Sequence, residues 1–232
     1  MVCFLWCSWF FIYMIAFNQG CETINASTSS VIIATVPIIT ALLARFIIHE
    51  KLKYFQWIAI MIEFSGVIVL TLIGGIFTMN KGIFWLLLAA VALSSYNLLL
   101  RKLTKNYSAL QTSTFSVFTG TMLLTIFLPN SISEVSNAPA IQLFYVILLG
   151  IFSSAIAYVA WSTAFEKAQR TSTVSNYMFI TPFLTSLLGF LITHEIPDIQ
   201  TVIGGMIILF GLFIFNFGDK LHSRNIIMKK KL

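Results

Sequence analysis

Charge is scarce in this chain: Asp, Glu, Lys and Arg make up 9% of its 232 residues, against 58% hydrophobic. A soluble domain carries about a quarter of its residues as charges, so a water-exposed surface is excluded. No G-x-x-x-x-G-K-[ST] loop occurs, which excludes P-loop ATP hydrolysis. The three cysteines, Cys3, Cys7 and Cys21, make no C-x-x-C pair and read as apolar filler, with only Cys21 placed to face outside. His-Glu occurs at His49-Glu50 and His194-Glu195, but an H-E-x-x-H zinc motif needs a second His where Lys53 and Asp198 stand. No metal or other cofactor is expected. The three histidines, His49, His194 and His222, fall at span ends or in the tail, away from any nucleophile, so no enzyme is expected either. Polar stretches are also few, and only 130 to 141 (NSISEVSNAPAI) reads as a true loop.

What the chain does contain is apolar length, with a mean hydropathy of +0.92. About 20 apolar residues cross a bilayer core. Eight such windows fit here, at 2–18, 28–48, 54–76, 82–100, 110–129, 142–165, 172–193 and 199–218. The runs are near-continuous and do not alternate, so they are helices rather than barrel strands. The fold class is therefore an all-α polytopic membrane protein. The first window lacks a positive n-region and an A-x-A-like cleavage site, and reads as a span and not a signal peptide.

A net charge of +6 suggests nucleic acid until its distribution is followed. Every Lys and Arg except Lys81 lies at the end of an even-numbered span or just after it: Arg45, Lys51 and Lys53; Arg101, Lys102 and Lys105; Lys167 and Arg170; then Lys220 to Lys231. Positive loops stay inside, so the expected location is the plasma membrane, multi-pass, with a cytoplasmic C-terminus and no nucleic-acid partner.

Residues 24 to 70 recur, without a gap, as residues 169 to 215. Pro37 maps to Pro182, His49-Glu50 to His194-Glu195 and Gly66 to Gly211, and Ser27, Ser30 and Thr40 meet Ser172, Ser175 and Thr185. The turn after the second span is basic, whereas its copy, HEIPD, holds no Lys or Arg and falls on the other face. The two copies are thus inverted, the arrangement of many secondary transporters.

The stretch S-T-S-S-V-I-I-A-T-V-P-I-I-T-A-L-L-A-R-F-I-I-H-E-K-L-K, its continuation to Gly66, and the second copy resemble the EamA family of the drug/metabolite transporter superfamily. The matching positions are Ser30, Pro37, Glu50 and Gly66, then Ser175, Pro182, Glu195 and Gly211. The resemblance implies carrier-mediated movement of small metabolites, often amino-acid export, by ten helices in two repeats with both ends cytoplasmic. On that pattern residues 1–76 are a first repeat short of two helices, 82–218 a complete second repeat, and 219–232 a basic tail. The partners expected are a small-molecule substrate and the bilayer, and the reading leaves room for a homodimer. The alternative reading is a truncated, non-transporting membrane subunit or an inactive fragment of a ten-helix carrier.

Within this frame the substrate-cavity candidates are Tyr13, Asn18, Ser30, Pro37, Tyr158, Trp161, Ser175, Asn176 and Pro182. Prolines in the middle of matched spans free carbonyls and allow a kink. Tyr13 and Tyr158 each offer a flat apolar face with one polar tip, suited to an amphipathic solute. Glu50, Glu63 and Glu195 are gate or coupling candidates. Glu63 is the acidic residue set deep in a span, costly to bury ionised, and its counterpart in the second copy is Ile208.

The loop charges make one direct prediction. A fluorescent reporter fused after Leu232 is expected to glow in the cytoplasm, and a periplasmic phosphatase fused there to stay inactive; the reverse result would overturn the orientation.

Overall fold

The computed structural model describes residues 2–23, 29, 32–72, 81–193 and 199–229. Among these no strand occurs. The helices are α1 (Val2–Thr23), α2 (Val36–Ile47), α3 (Tyr54–Leu72), α4 (Lys81–Leu103), α5 (Ala109–Leu124), α6 (Leu128–Asn137), α7 (Ala140–Leu148), α8 (Ala157–Lys167), α9 (Thr171–Asn176), α10 (Thr181–Thr193) and α11 (Ile199–Lys229). A π-helical stretch, Leu149–Ile156, joins α7 to α8 into one continuous rod. Among the described residues, two helical segments, Lys81–Leu103 and Ala140–Lys167, are long and apolar enough to cross a membrane.

The apolar spans predict the helices, and two boundaries differ. Residues 130–141 do not form a loop: Leu128–Asn137 is helical, and only Ala138 and Pro139 break the chain before α7. Pro129 sits in the first turn, where its missing N–H costs nothing, and Leu128, Ile132 and Val135 recur at helical spacing. The basic tail also does not start a new element, since α11 runs on to Lys229.

The outer surface is apolar. Phe84, Phe118, Met122 and Ile126 are each more than 70% exposed, a pattern that requires hydrocarbon and not water around them.

The two larger packed regions among the described residues lie within. In one, α1 lies along α4, with α5 against α1 and α2 against α4. Phe10, Ala90, Leu93, Tyr96 and Phe165 form its centre. In the other, α3 and α11 form the most extensive helix pair among the described residues, around Ala59, Ile60, Val67, Ile208 and Leu212.

Gly66 and Gly211, matched by the repeat, make that second pair possible. A methyl group at Gly66 would lie 2.9 Å from both the Gly204 carbonyl oxygen and Ile208 Cγ1. At Gly211 it would collide with Glu63 Cγ and lie 3.1 Å from the Ala59 carbonyl oxygen. Gly204 is the repeat counterpart of Ala59, and Ile208 that of Glu63. Each glycine therefore receives the same two positions of the opposite copy. Ascending residues of α3 meet descending residues of α11, so the helices are antiparallel, as inverted copies require.

Leucine at either glycine overpacks a backbone-to-backbone contact, at a cost of about 1–3 kcal/mol. Gly66→Leu and Gly211→Leu should each lower the melting temperature of the detergent-purified protein. Leucine at Gly150, where an added methyl meets no described residue within 4 Å, should leave it nearly unchanged. Equal melting of all three variants would refute the packing argument.

Candidate functional site

The site is built on two helix interruptions at matching places. In the first copy the chain turns at Ala34–Thr35 before α2 begins at Val36. Thr35 Oγ1 donates to the Ile32 carbonyl at 2.6 Å, which satisfies one group the turn exposes. In the second copy α9 ends at Asn176, a 3-10 turn covers Tyr177–Ile180, and α10 begins at Thr181. The turn at 34–35 corresponds to 179–180. Pro37 and Pro182 therefore do not kink a continuous helix, as their mid-span positions suggest. Each lies in the first turn of a new half-helix, where the N–H it lacks would be unpaired anyway and its fixed φ favours the start.

Beside these breaks an aromatic and polar cluster joins α1, α4 and α8. Phe10 packs edge-on against Tyr158 with centroids 5.2 Å apart and lies 5.7 Å from Tyr96. Tyr13, half-buried, belongs to the same cluster. Trp161 Nε1 donates to Asn97 Oδ1 at 3.1 Å, while its ring meets Phe165 edge-to-face at 5.4 Å. Asn97 Nδ2 is buried and has no hydrogen-bond partner among the described residues. Ser94 Oγ lies 2.7 Å from the Ala90 carbonyl and 3.1 Å from that of Val36, which ties α4 to the first half-helix. Ser113 Oγ and Ser162 Oγ, 2.6 Å apart, tie α5 to α8.

Glu63 is fully buried. Asn176, the last residue of α9, is 1% exposed and donates from Nδ2 to Glu63 Oε1 at 3.0 Å. Ser175 is buried as well, but its hydroxyl turns back to the Ser172 carbonyl at 3.3 Å.

At the basic end of the molecule the copies are held together by side chains on helix termini. Glu50 accepts from the Thr171 N–H at 2.7 Å, the Ser172 N–H at 3.3 Å and the Ser172 hydroxyl at 3.0 Å, capping the start of α9. His49 makes this geometry by adopting φ 61°, a left-handed conformation that turns the chain sharply after α2. The Glu50 N–H then returns to the Ala44 carbonyl at 3.0 Å. Arg170 donates to Gln56 Oε1 at 3.1 Å, Glu166 caps α5 at the Ala109 N–H at 2.9 Å, and Arg101 donates to the Phe165 carbonyl at 2.7 Å. A cavity of about 260 Å³ opens between these groups, lined by Gln56, Arg170, Thr173, Phe215 and Asn216.

The residues singled out from the sequence thus separate into groups. Tyr13, Tyr158 and Trp161 meet in one cluster, Glu63 meets Asn176, and Pro37 and Pro182 mark the breaks. Asn18 stands apart, exposed on α1 with its amide given to the Met14 carbonyl at 2.8 Å. Ser30 and Glu195 lie outside the described residues. Sequence reasoning missed Asn97 and Ser94. The polar run S-S-Y-N inside the apolar fourth span was the available signal, but that span has no partner in the repeat to draw attention to it.

The model of the EamA-like transporter family matches residues 2–72 and 80–217. The "Uncharacterized transporter YdfC" of Bacillus subtilis is 31% identical over 206 residues, covering 88% of this chain and 66% of that protein. The "Probable terminal-alkyne amino-acid exporter" of Streptantibioticus cattleyicolor is 25% identical over 204 residues, covering 88% of this chain and 68% of that protein. The chain thus spans about two thirds of the length of these relatives. A crystal structure with 17% identity superposes at a TM-score of 0.72 over 88% of this chain and 73% of that one, which shows a shared fold.

Removing the Glu50 cap leaves two N–H groups of α9 without a partner. Glu50→Ala should cost about 0.5–2 kcal/mol, and His49→Gly, which relieves the left-handed strain, should be neutral or stabilising. Thermal denaturation of the two variants checks both; a stable Glu50→Ala protein would show that the cap contributes nothing.

Proposed function

The chain belongs to the EamA-like transporter family, and from that premise we propose that it is a secondary permease moving small organic metabolites by alternating access. Amino-acid-like or otherwise amphipathic solutes are the substrate class. The observation that carries this reading is the placement of a half-buried aromatic cluster with polar tips beside two helix breaks at matching positions. Broken helices lend carbonyls and N–H groups to a solute where a continuous helix has none free. Tyr13, Tyr158 and Trp161 supply flat apolar faces, and the Asn97 amide retains a free donor for a carboxylate or carbonyl. The name of the Streptantibioticus relative supports an amino-acid-derived solute for this chain.

The two copies supply the motion. The α3–α11 pair is the axis, since its antiparallel glycine contacts are alike in both directions and tolerate a rocking exchange of roles. The basic end, which the positive-inside rule makes cytoplasmic, is latched by Glu50 on α9 and by Arg170 on Gln56. Opening toward the cytoplasm releases Glu50 from the Thr171 and Ser172 N–H groups, so Glu50 acts as a gate. By the repeat Glu195 has the corresponding role on the opposite face. Ser30, Ser175 and Asn18 are the remaining wall candidates.

The test is counterflow in proteoliposomes with a panel of radiolabelled amino acids, aromatic and aliphatic. Exchange of at least one is expected. Tyr158→Ala and Trp161→Ala should raise its KM several-fold, and Trp161→Phe, which keeps the ring but loses the Asn97 bond, should have a smaller effect. Absence of exchange under every imposed gradient would refute the carrier reading.

A further inference from the structure

We propose that Glu63 and Asn176 form a proton-binding site that bridges the two repeats, with Glu63 carrying the proton in the conformation described here. In the proposed transport cycle the proton is the coupling ion, and that part alone rests on the carrier reading.

Glu63 and Asn176 are 0% and 1% exposed, and a single hydrogen bond, Asn176 Nδ2 to Glu63 Oε1, joins them at 3.0 Å. Two atoms of the same pair, Glu63 Oε2 and Asn176 Oδ1, are buried with no hydrogen-bond partner among the described residues. Both are acceptors when Glu63 is ionised, so neither can satisfy the other, and a buried polar atom left unpaired costs about 1–3 kcal/mol. One proton on Oε2 turns that oxygen into a donor, and the acceptor it lacks is Asn176 Oδ1. Acid and amide then close a cyclic pair in which all four polar atoms are satisfied and the net charge is zero. Binding is a simple transfer: the carboxylate takes a proton from hydronium and releases water, and no other bond forms or breaks.

The surroundings favour the neutral form. Gly211 of α11 faces Glu63, with Asn176 from α9, and neither is charged. The sequences of α9 and α10 contain no ionisable residue. In the 3-10 turn the one ionisable side chain is Tyr177, which is exposed, and those of α11 begin at Asp219, more than two turns past Gly211. Among the described residues an ionised carboxylate here would have one amide donor and no counter-charge, which membrane interiors do not tolerate without a partner.

The pair is also placed to act on the mechanism. Glu63 is on the first copy and Asn176 at the helix break of the second, so the hydrogen-bonded ring spans the surface along which the repeats must move. The repeat counterparts are Ile208 for Glu63 and Val31 for Asn176. Acid and amide are replaced together by two apolar residues, which gives the molecule one such site and predicts one proton per cycle. Loss of the proton leaves a charge that must reach water, and that demand opens the interface.

Infrared spectroscopy of the full chain in lipid nanodiscs tests the site without reference to any solute. Wild type should show, at neutral pH, the carbonyl band of a protonated carboxylic acid that Glu63→Gln lacks. The amide introduced by Glu63→Gln can still donate to Asn176 Oδ1, so this variant should fold. Asn176→Leu should retain the band but move it to the frequency of an acid without a hydrogen bond, which keeps the test decisive if Glu63→Gln is unstable. Absence of the band in wild type, or its disappearance when sodium replaces choline at constant pH, would overturn the proposal, the latter in favour of a sodium site. In pyranine-loaded vesicles, proton flux should accompany solute exchange in wild type and fall to the protein-free level in Glu63→Gln. Solute exchange without proton flux would refute the coupling while leaving the carrier reading intact. No exchange at all would refute the carrier reading, and the infrared band would still decide the site.

Discussion

The contact between α3 and α11 is the constraint on which the rest of this structure depends. Two helices, one from each copy, approach so closely that backbone carbonyls of Ala59 and Gly204 lie where a side chain would have to be at Gly211 and Gly66. In a bilayer the apolar effect cannot draw helices together, because lipid tails are as apolar as leucine; close van der Waals contact between small residues does so instead. The approach fixes the two copies antiparallel, and it brings Glu63 under the start of the second helix break. Had either glycine been a larger residue, the copies could not sit at this distance, and Glu63 and Asn176 could not share a hydrogen bond.

Polar groups in this protein cluster where backbone is irregular, for a physical reason. Each helix break exposes N–H and C=O groups that hydrocarbon cannot satisfy, so hydroxyls, amides and carboxylates collect around the breaks. Thr35 answers its own turn, Ser94 reaches across from α4, and Glu50 caps the N-terminus of α9 from the other copy. The same concentration of polar atoms that stabilises the breaks gives a solute something to bind. Structural and functional demands therefore fall on overlapping residues, and substitution of any one of them is expected to disturb both.

Much of the fold was legible in the sequence because membrane insertion writes itself in long apolar windows and loop charges. The eight spans, the duplication and the family resemblance all came from that layer. Misjudged features were those in which polarity and secondary structure part company. NSISEVSNAPAI is polar but lies largely within a helix, in which Leu128, Ile132 and Val135 repeat at helical spacing among the polar residues. Pro37 and Pro182 look like kinks when a span is counted as one helix, and become half-helix starts once the chain is seen to break just before them. Asn97 was not legible because the repeat marks paired positions, and α4 has no partner in it.

Glu63 shows most clearly where the two levels divide. The sequence by itself determined that an acid lies deep in an apolar span, that its counterpart is Ile208, and that the two copies are inverted; these follow from composition, offset and loop charge. It did not determine the partner, since Asn176 is far away in the chain and reads as a substrate-cavity candidate with nothing to tie it to Glu63. Only the tertiary structure decided that, because the close glycine contacts of α3 and α11 set the register between the copies, and register alone chooses which buried polar atoms meet.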